Sequence, residues 1–189
     1  MCSSDLQLNL PVHMVDIAAG HGRYMLDVAL KTGAASILLR DYSALNVEQG
    51  RKRIAERGLG QQARFEQGDA FDRAALAALT PRPTIAVVSG LYELFPDNAP
   101  IRASLAGLSE AVPSGGYLVY TNQPWHPQLE LIARTLTSHR QHQGQNQDWV
   151  MRRRTQGEMD QLVAQAGFIK IDQLADEWGI FTVSLARKT

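Results

Sequence analysis

Val12-His13-Met14-Val15-Asp16-Ile17-Ala18-Ala19-Gly20-His21-Gly22-Arg23-Tyr24 is the stretch whose reading decides the fold. Val12 to Ala18 is a short, mostly apolar run, the pattern of a parallel strand buried on both faces. Gly20 and Gly22 follow it, and a backbone without β-carbons can turn sharply and approach a ligand closely. Arg23 to Lys31 then carries Tyr24, Leu26, Val28 and Leu30 among polar residues, which predicts a helix that Gly33 stops. The first amides of that helix lack intrahelical partners, so its N-terminus can receive an anion.

Outward from this unit, strands and helices alternate with little slack. Ser36 to Asp41 reads as a second strand, and Ser43 caps a helix through Arg57 that ends at Gly58. Arg64 to Asp69 is a weaker third strand of alternating polarity, and Asp72 to Leu79 a short helix that Pro81 and Pro83 terminate. Thr84 to Ser89 is apolar almost throughout and therefore central. A helix opened by Asn98 or Pro100 runs to about Val112, and Tyr117 to Thr121 is the fifth strand. A helix from about Pro127 to Ser138 and a polar loop, Gln141 to Asp148, come next. Thr155-Gln156-Gly157-Glu158 matches a capping box that starts a helix through Ala166. Gly167 to Ile171 and Ile180 to Ala186 close the chain as a strand pair. No helix-length connection separates them, so the pair is antiparallel. The pattern predicts one domain built on a doubly wound α/β sheet with a single antiparallel closure.

Composition narrows the function classes. Lys plus Arg and Asp plus Glu each total 19, so no bulk charge draws the chain to nucleic acid or an anionic membrane. Cys2 is the single cysteine, which excludes an intrachain disulfide and a thiolate metal cluster and suits the cytoplasm. No apolar run reaches the roughly 20 residues of a membrane span. Met1 to Leu6 has no periodicity and can be written in codons resembling the end of a common sequencing adapter. The expectation is a non-native leader at 1–6, a single domain over 7–189, and a natural protein that continues upstream, with room there for a further domain.

In open α/β sheets, ligands bind beyond the carboxyl ends of the strands. Asp41 ends the second strand 21 residues after Gly20, close to the spacing of about 20 expected for an acid on ribose hydroxyls. Asp69 ends the third strand, where a carboxylate can accept from an adenine amino group with Phe71 near the base face. A nicotinamide dinucleotide is the competing ligand, but its fingerprint wants a third glycine where Met25 stands. A G-x-x-x-x-G-K-[ST] phosphate loop is absent, which argues against a nucleoside triphosphatase.

These motifs resemble the class I S-adenosylmethionine-dependent methyltransferase family. The family's first motif, an acid before a glycine-rich turn, is matched by D-I-A-A-G-H-G. Its second and third acids are matched by Asp41 and by Asp69 within Q-G-D-A. The resemblance spans about Val12 to Leu185. It implies a seven-stranded Rossmann-like sheet in the order 3-2-1-4-5-7-6 with strand seven antiparallel. It also implies S-adenosylmethionine held by Asp16, Ala18, Gly20, Gly22, Arg23, Asp41, Tyr42, Asp69, Ala70 and Ser89. Ala18 departs from the pattern, since the family often has glycine there. S-G-L-Y-E-L-F-P-D-N and T-N-Q-P-W-H-P-Q further resemble bacterial methyltransferases sometimes fused behind an α/β-hydrolase-like region. A non-catalytic domain of the same fold that binds adenosyl ligands is the remaining alternative.

Methyl transfer from a sulfonium needs orientation more than acid–base groups, so acceptor residues are expected after strands four and five. Gly90, Tyr92 and Glu93 follow the fourth strand; Asn122, Gln123, Trp125 and His126 follow the fifth. Glu93, His126 and Tyr92 are the catalytic candidates, with Glu93 or His126 able to take a proton from the acceptor. The family's N-P-P-Y signature is missing, which favours a small-molecule acceptor over an exocyclic nucleobase or glutamine amide. Arg152-Arg153-Arg154 reads as a solvated face, with a phosphate or carboxylate clamp as the sharper alternative. His139 and His142 read as parts of a polar loop and not as metal ligands, and no metal site is expected.

Overall fold

The computed structural model describes residues 11–135, 139–142, 145–148 and 152–189, and the leader expected at 1–6 lies outside them. In chain order the elements are β1 (His13–Asp16), α1 (Arg23–Lys31), β2 (Ser36–Asp41), α2 (Ala44–Glu56), β3 (Ala63–Gln67) and α3 (Arg73–Ala77). There follow β4 (Ile85–Val88), a 3₁₀ turn (Tyr92–Leu94), α4 (Asn98–Ala111), β5 (Tyr117–Asn122) and α5 (Leu129–Thr135). Then come β6 (His139–His142), β7 (Gln145–Asp148), α6 (Gln156–Gln165), β8 (Phe168–Ala175) and β9 (Thr182–Lys188).

The main sheet has seven strands in the order β3-β2-β1-β4-β5-β9-β8. Numbered within that sheet, the order is 3-2-1-4-5-7-6, the Rossmann-like arrangement the motifs imply. Strands β1 to β5 run parallel, and β9 is antiparallel to both β5 and β8. All five parallel strands therefore deliver their carboxyl ends to one edge. Asp16, Asp41, Asp69, Ser89 and Asn122 all lie at or just beyond those ends.

Each sheet face packs its own core. On one face Met25, Leu26 and Ala29 of α1 and Val47 and Ile54 of α2 meet Ile37, Leu39 and Phe65. On the other, Ile101, Leu105 and Leu108 of α4 and Met159, Leu162 and Val163 of α6 meet Val15, Ala86, Val88 and Leu118. Burying one such side chain contributes about 1.5–3 kcal/mol, against about 1 kcal/mol for a helix cap. The two apolar layers thus hold the fold and the caps trim its helix ends. Ser43 and Thr155 cap α2 and α6 as the sequence predicts, and Asp72 and Asp97 cap α3 and α4.

Two expectations need correction. Gln141 to Asp148 is not a plain loop, because β6 and β7 pair antiparallel with His139 opposite Asp148. With few apolar residues, that pair carries no hydrophobic alternation to announce it. The closing pair is also shifted: β8 extends to Ala175, while Ile180 and Phe181 belong to the turn before β9. Asp176 makes that turn, its side chain accepting from the Ile180 and Phe181 amides.

Candidate functional site

The glycine turn and the second strand meet directly. Gly20 and Gly22 take positive φ of 55° and 71°, the region that favours glycine. Gly22 also packs where a β-carbon would come within 2.6 Å of Leu39 Cδ1. The Gly20 amide donates to Asp41 Oδ2 at 2.9 Å, closing the 21-residue interval between the two motifs. Asp41 Oδ1 accepts from the Ser43 amide at 2.9 Å and from Asn46 Nδ2 at 3.0 Å. A β-carbon built on Gly20 would meet nothing within 4 Å, so the outer side of the turn is open. Gly22 caps α1 without a side-chain hydrogen bond, and Arg23 is exposed in the first turn of that helix.

Asp16 has a different place. It is fully buried, and Oδ1 accepts from the Ala18 amide at 3.3 Å. Oδ2 accepts from the Tyr24 hydroxyl. Burial pushes the Asp16 carboxyl up to about 7, partly offset by the bonds from Tyr24 and Ala18. Asp16 therefore braces the turn from beneath, and Tyr24, a residue absent from the sequence-based site, ties the first turn of α1 to the end of β1.

At the third strand, Asp69 is exposed, its Oδ1 accepting from the Phe71 amide at 2.8 Å. Phe71 packs edge-on against Phe95 with ring centroids 4.5 Å apart, and Ala70 is buried beside it. Tyr42 stands out into solvent at 77% exposure, its carbonyl accepting from Gln67 Nε2. Arg40, also absent from the sequence-based site, lies buried under Gly68, where any β-carbon would overlap its guanidinium.

On the acceptor side the structure separates the three catalytic candidates. The side chain of Tyr92 is 2% exposed, and its hydroxyl is hydrogen-bonded to Ser104 of α4 at 2.9 Å. That correction follows from the 3₁₀ turn, which rotates the ring into the core. His126 is also corrected. Its Nδ1 accepts from the Gln128 amide at 3.0 Å, leaving Nε2–H to donate to the Trp178 carbonyl at 3.1 Å. With both nitrogens engaged, the imidazole has no lone pair left for an acceptor proton. Glu93 fits. It is 3% exposed, Oε1 accepts from Gln123 Nε2 at 3.1 Å, and Oε2 has no partner. Burial raises its carboxyl above the usual range, against the pull of the Gln123 bond and of Arg153 and Arg154.

The arginine run is not a solvated face. Arg154 is 1% exposed and donates to the carbonyls of Tyr92 at 2.8 Å, Phe95 at 2.8 Å and Asp97 at 3.2 Å. Its Nε donates to Asn98 Oδ1 at 2.7 Å. Arg152 donates to the Pro96 carbonyl and pairs with Glu158, and its amide donates to the Glu93 carbonyl. These contacts lash the segment after β4 to the chain entering α6. Glu158 is spent there, so only the Thr155 half of the capping box forms, with Oγ1 accepting from the Glu158 amide. A run of like charges reads as surface in sequence because nothing local shows that carbonyls from another segment will surround it.

A hollow of about 350 Å³ between α3, α4 and α6, lined in part by Arg73, Arg102 and Leu162, holds none of these residues. Among the described residues, no group of three or more His, Cys, Asp or Glu could hold a metal ion. The side chains of His139 and His142 lie outside that description. No helix among the described residues is long and apolar enough to cross a membrane.

Known proteins share this fold. YnbC of Escherichia coli, itself uncharacterised, is 62% identical over 178 residues, which are 94% of this chain and 30% of the relative. The chain thus spans less than a third of that protein's length. A methyltransferase from Methanosarcina mazei, described as S-adenosylmethionine-dependent, superposes with a TM-score of 0.74 at 18% identity, covering 96% of this chain and 94% of its own. The O-methyltransferase of neocarzinostatin biosynthesis, solved with S-adenosylmethionine and 2-hydroxy-5-methyl naphthoic acid, superposes at 0.70 with 19% identity, covering 94% of this chain and 49% of its own. The family model described as "Putative methyltransferase" matches residues 3–188, and the chain belongs to that family.

Proposed function

We propose that this chain binds S-adenosylmethionine over the carboxyl ends of β1, β2 and β3 and methylates a small-molecule acceptor held beyond β4 and β5. The observation that carries the reading is the Gly20–Asp41 hydrogen bond of 2.9 Å, which joins an open glycine turn to a half-buried carboxylate. A carboxylate has about four lone-pair sites, and three are occupied at Asp41, so capacity remains on Oδ2 for one ribose hydroxyl. The uncapped N-terminus of α1 suits the carboxylate of the methionine moiety. Asp69, with Ala70 and Phe71 beside it, suits the adenine.

When bound, the cofactor supplies an electrophilic methyl group on a sulfonium. The protein's own contribution is to hold the acceptor in line, worth an effective molarity of up to about 10⁵–10⁸ M. Glu93 takes the acceptor's proton at Oε2. We also place the chain in the cytoplasm.

Isothermal titration with S-adenosylmethionine and with NAD tests the cofactor, and binding of NAD alone would overturn the reading. Tritium transfer from labelled S-adenosylmethionine into a small-molecule extract is the expected sign of turnover. Binding without transfer would instead make this a non-catalytic adenosyl-binding domain.

A further inference from the structure

Two buried polar atoms next to the proposed methyl site lack partners. One is Glu93 Oε2, on a side chain that is 97% out of solvent; the other is Arg153 Nη1. The Arg152 amide donates to the Glu93 carbonyl at 2.9 Å, which sets Arg153 on the strand of chain beside Glu93, yet the two unpartnered atoms do not bond each other. Arg152 and Arg154 are committed to the 92–98 segment, which leaves Arg153 as the member of the run with a free buried donor. A buried donor or acceptor left unmade costs about 1–3 kcal/mol. Two such atoms on hydrogen-bonded neighbouring segments are therefore a feature that a ligand can repay.

We propose that Glu93 and Arg153 are the two halves of the acceptor subsite and that they select a phenol or enol hydroxyl as the group methylated. The inference rests on the methyltransferase reading above and adds the substrate class. A hydroxyl satisfies both atoms at once: its O–H donates to Glu93 Oε2, and one oxygen lone pair accepts from Arg153 Nη1. Its second lone pair stays free to attack. An amine has a single lone pair, so accepting from Arg153 would consume the pair needed for attack. Attack through nitrogen would also build a cation beside the guanidinium. A carboxylate offers Glu93 no proton and meets its charge, and a thiol is a weak donor and acceptor. Phenols, with a pKa of about 10, lie within reach of a carboxylate base when a guanidinium steadies the oxyanion; aliphatic alcohols are far weaker acids. The raised carboxyl of Glu93 narrows that gap further.

The balance is simple. The hydroxyl proton passes to Glu93 Oε2 while an oxygen lone pair forms the new O–CH₃ bond. The electron pair of the broken S–CH₃ bond stays on sulfur, and Glu93 later returns its proton to water. Gln123 holds Oε1 and so aims Oε2; it is a positioning residue. The exposed ring of Trp125, two residues beyond Gln123, supplies an aromatic surface at the same end of β5.

The test uses 4-nitrophenol and 4-nitroaniline, two rings of matched size, titrated into the purified chain with S-adenosylhomocysteine present. Tryptophan fluorescence reads binding, and the yellow phenolate band at pH 6 reads where the proton sits. We expect saturable nitrophenol binding, at least about tenfold weaker binding of nitroaniline, and growth of the phenolate band in the complex. Arg153→Met weakens nitrophenol by about tenfold or more, and Arg153→Lys restores much of it. Glu93→Gln abolishes growth of the phenolate band without unfolding the chain by circular dichroism. Absence of saturable nitrophenol binding, equal affinity for both rings, or an Arg153→Met variant of unchanged affinity each overturn the proposal. The two readings fail separately. If S-adenosylhomocysteine does not bind, the methyltransferase reading falls, and the nitrophenol titration repeated without it still judges the Glu93–Arg153 site.

Discussion

Asp41 does two things with one carboxylate, and that sets what its removal costs. It holds the Gly20 amide and the start of α2, and it keeps one acceptor site for the proposed ribose hydroxyl. Asp41→Ala is expected to weaken S-adenosylhomocysteine by about 1.5–3 kcal/mol, the range for hydrogen bonds to a charged group, as read by isothermal titration. Unchanged affinity in a folded variant would mean the ribose sits elsewhere. Asp16 makes the opposite kind of prediction. Its carboxyl titrates near 7 in the folded chain against 3.8 unfolded, so between those values the folded state holds the extra proton. Stability therefore falls as pH rises through that window, by up to about 1.4 kcal/mol per pH unit from this group, and levels off above it. Asp16→Asn should flatten the fall, visible in urea midpoints at pH 5 and pH 8; Glu93 adds a residual slope of the same sign. Asp41 was legible in the sequence because an interval of about 20 residues has one physical meaning in this kind of sheet. The burial of Asp16 was not, since a strand-end acid reads the same whether it faces ligand or core.

At the scale of elements, the segment after β4 is held from outside its own sequence. Arg154 donates there to the carbonyls of Tyr92, Phe95, Pro96 and Asp97 and to Asn98, so Arg154→Ala leaves buried acceptors unmade and should cost about 3 kcal/mol in urea unfolding. Arg154→Lys keeps the charge but loses the planar fork, and an intermediate loss is expected. Affinity for S-adenosylhomocysteine should survive both changes, because the proposed cofactor edge belongs to β1, β2 and β3. The α3–α4 contact depends on Gly107, where a β-carbon would come within 2.8 Å of the Arg73 carbonyl and of Leu76 Cβ. Gly107→Ala should destabilise by about 1–3 kcal/mol through overpacking, with the thermal midpoint as the measure. A gain in stability would show that α3 yields easily. Neither contact could be read from local pattern, because both join segments that propensity treats as separate.

For the molecule as a whole, binding at the sheet edge couples to global unfolding. S-adenosylhomocysteine at 100 times its Kd should stabilise the chain by about 2.7 kcal/mol, seen as a raised thermal midpoint that Asp41→Ala lowers at the same ligand concentration. No shift at that concentration would mean that the ligand does not bind the folded chain in preference to the unfolded one. By itself the sequence determined the alternation of strands and helices, the antiparallel closure, and the glycine turn with Asp41 and Asp69 at strand ends. Those features are local or periodic: apolar runs, caps and glycines act through their own neighbours, and crossover handedness turns their order into a sheet. Only the tertiary structure decided which candidates are free to act. Tyr92 was lost to Ser104 and His126 to the turn at Trp178, while Arg154 went inward and Glu93 kept an unpartnered oxygen. The reason is that a side chain's availability depends on every group packed around it, and those groups come from parts of the chain up to 62 residues away.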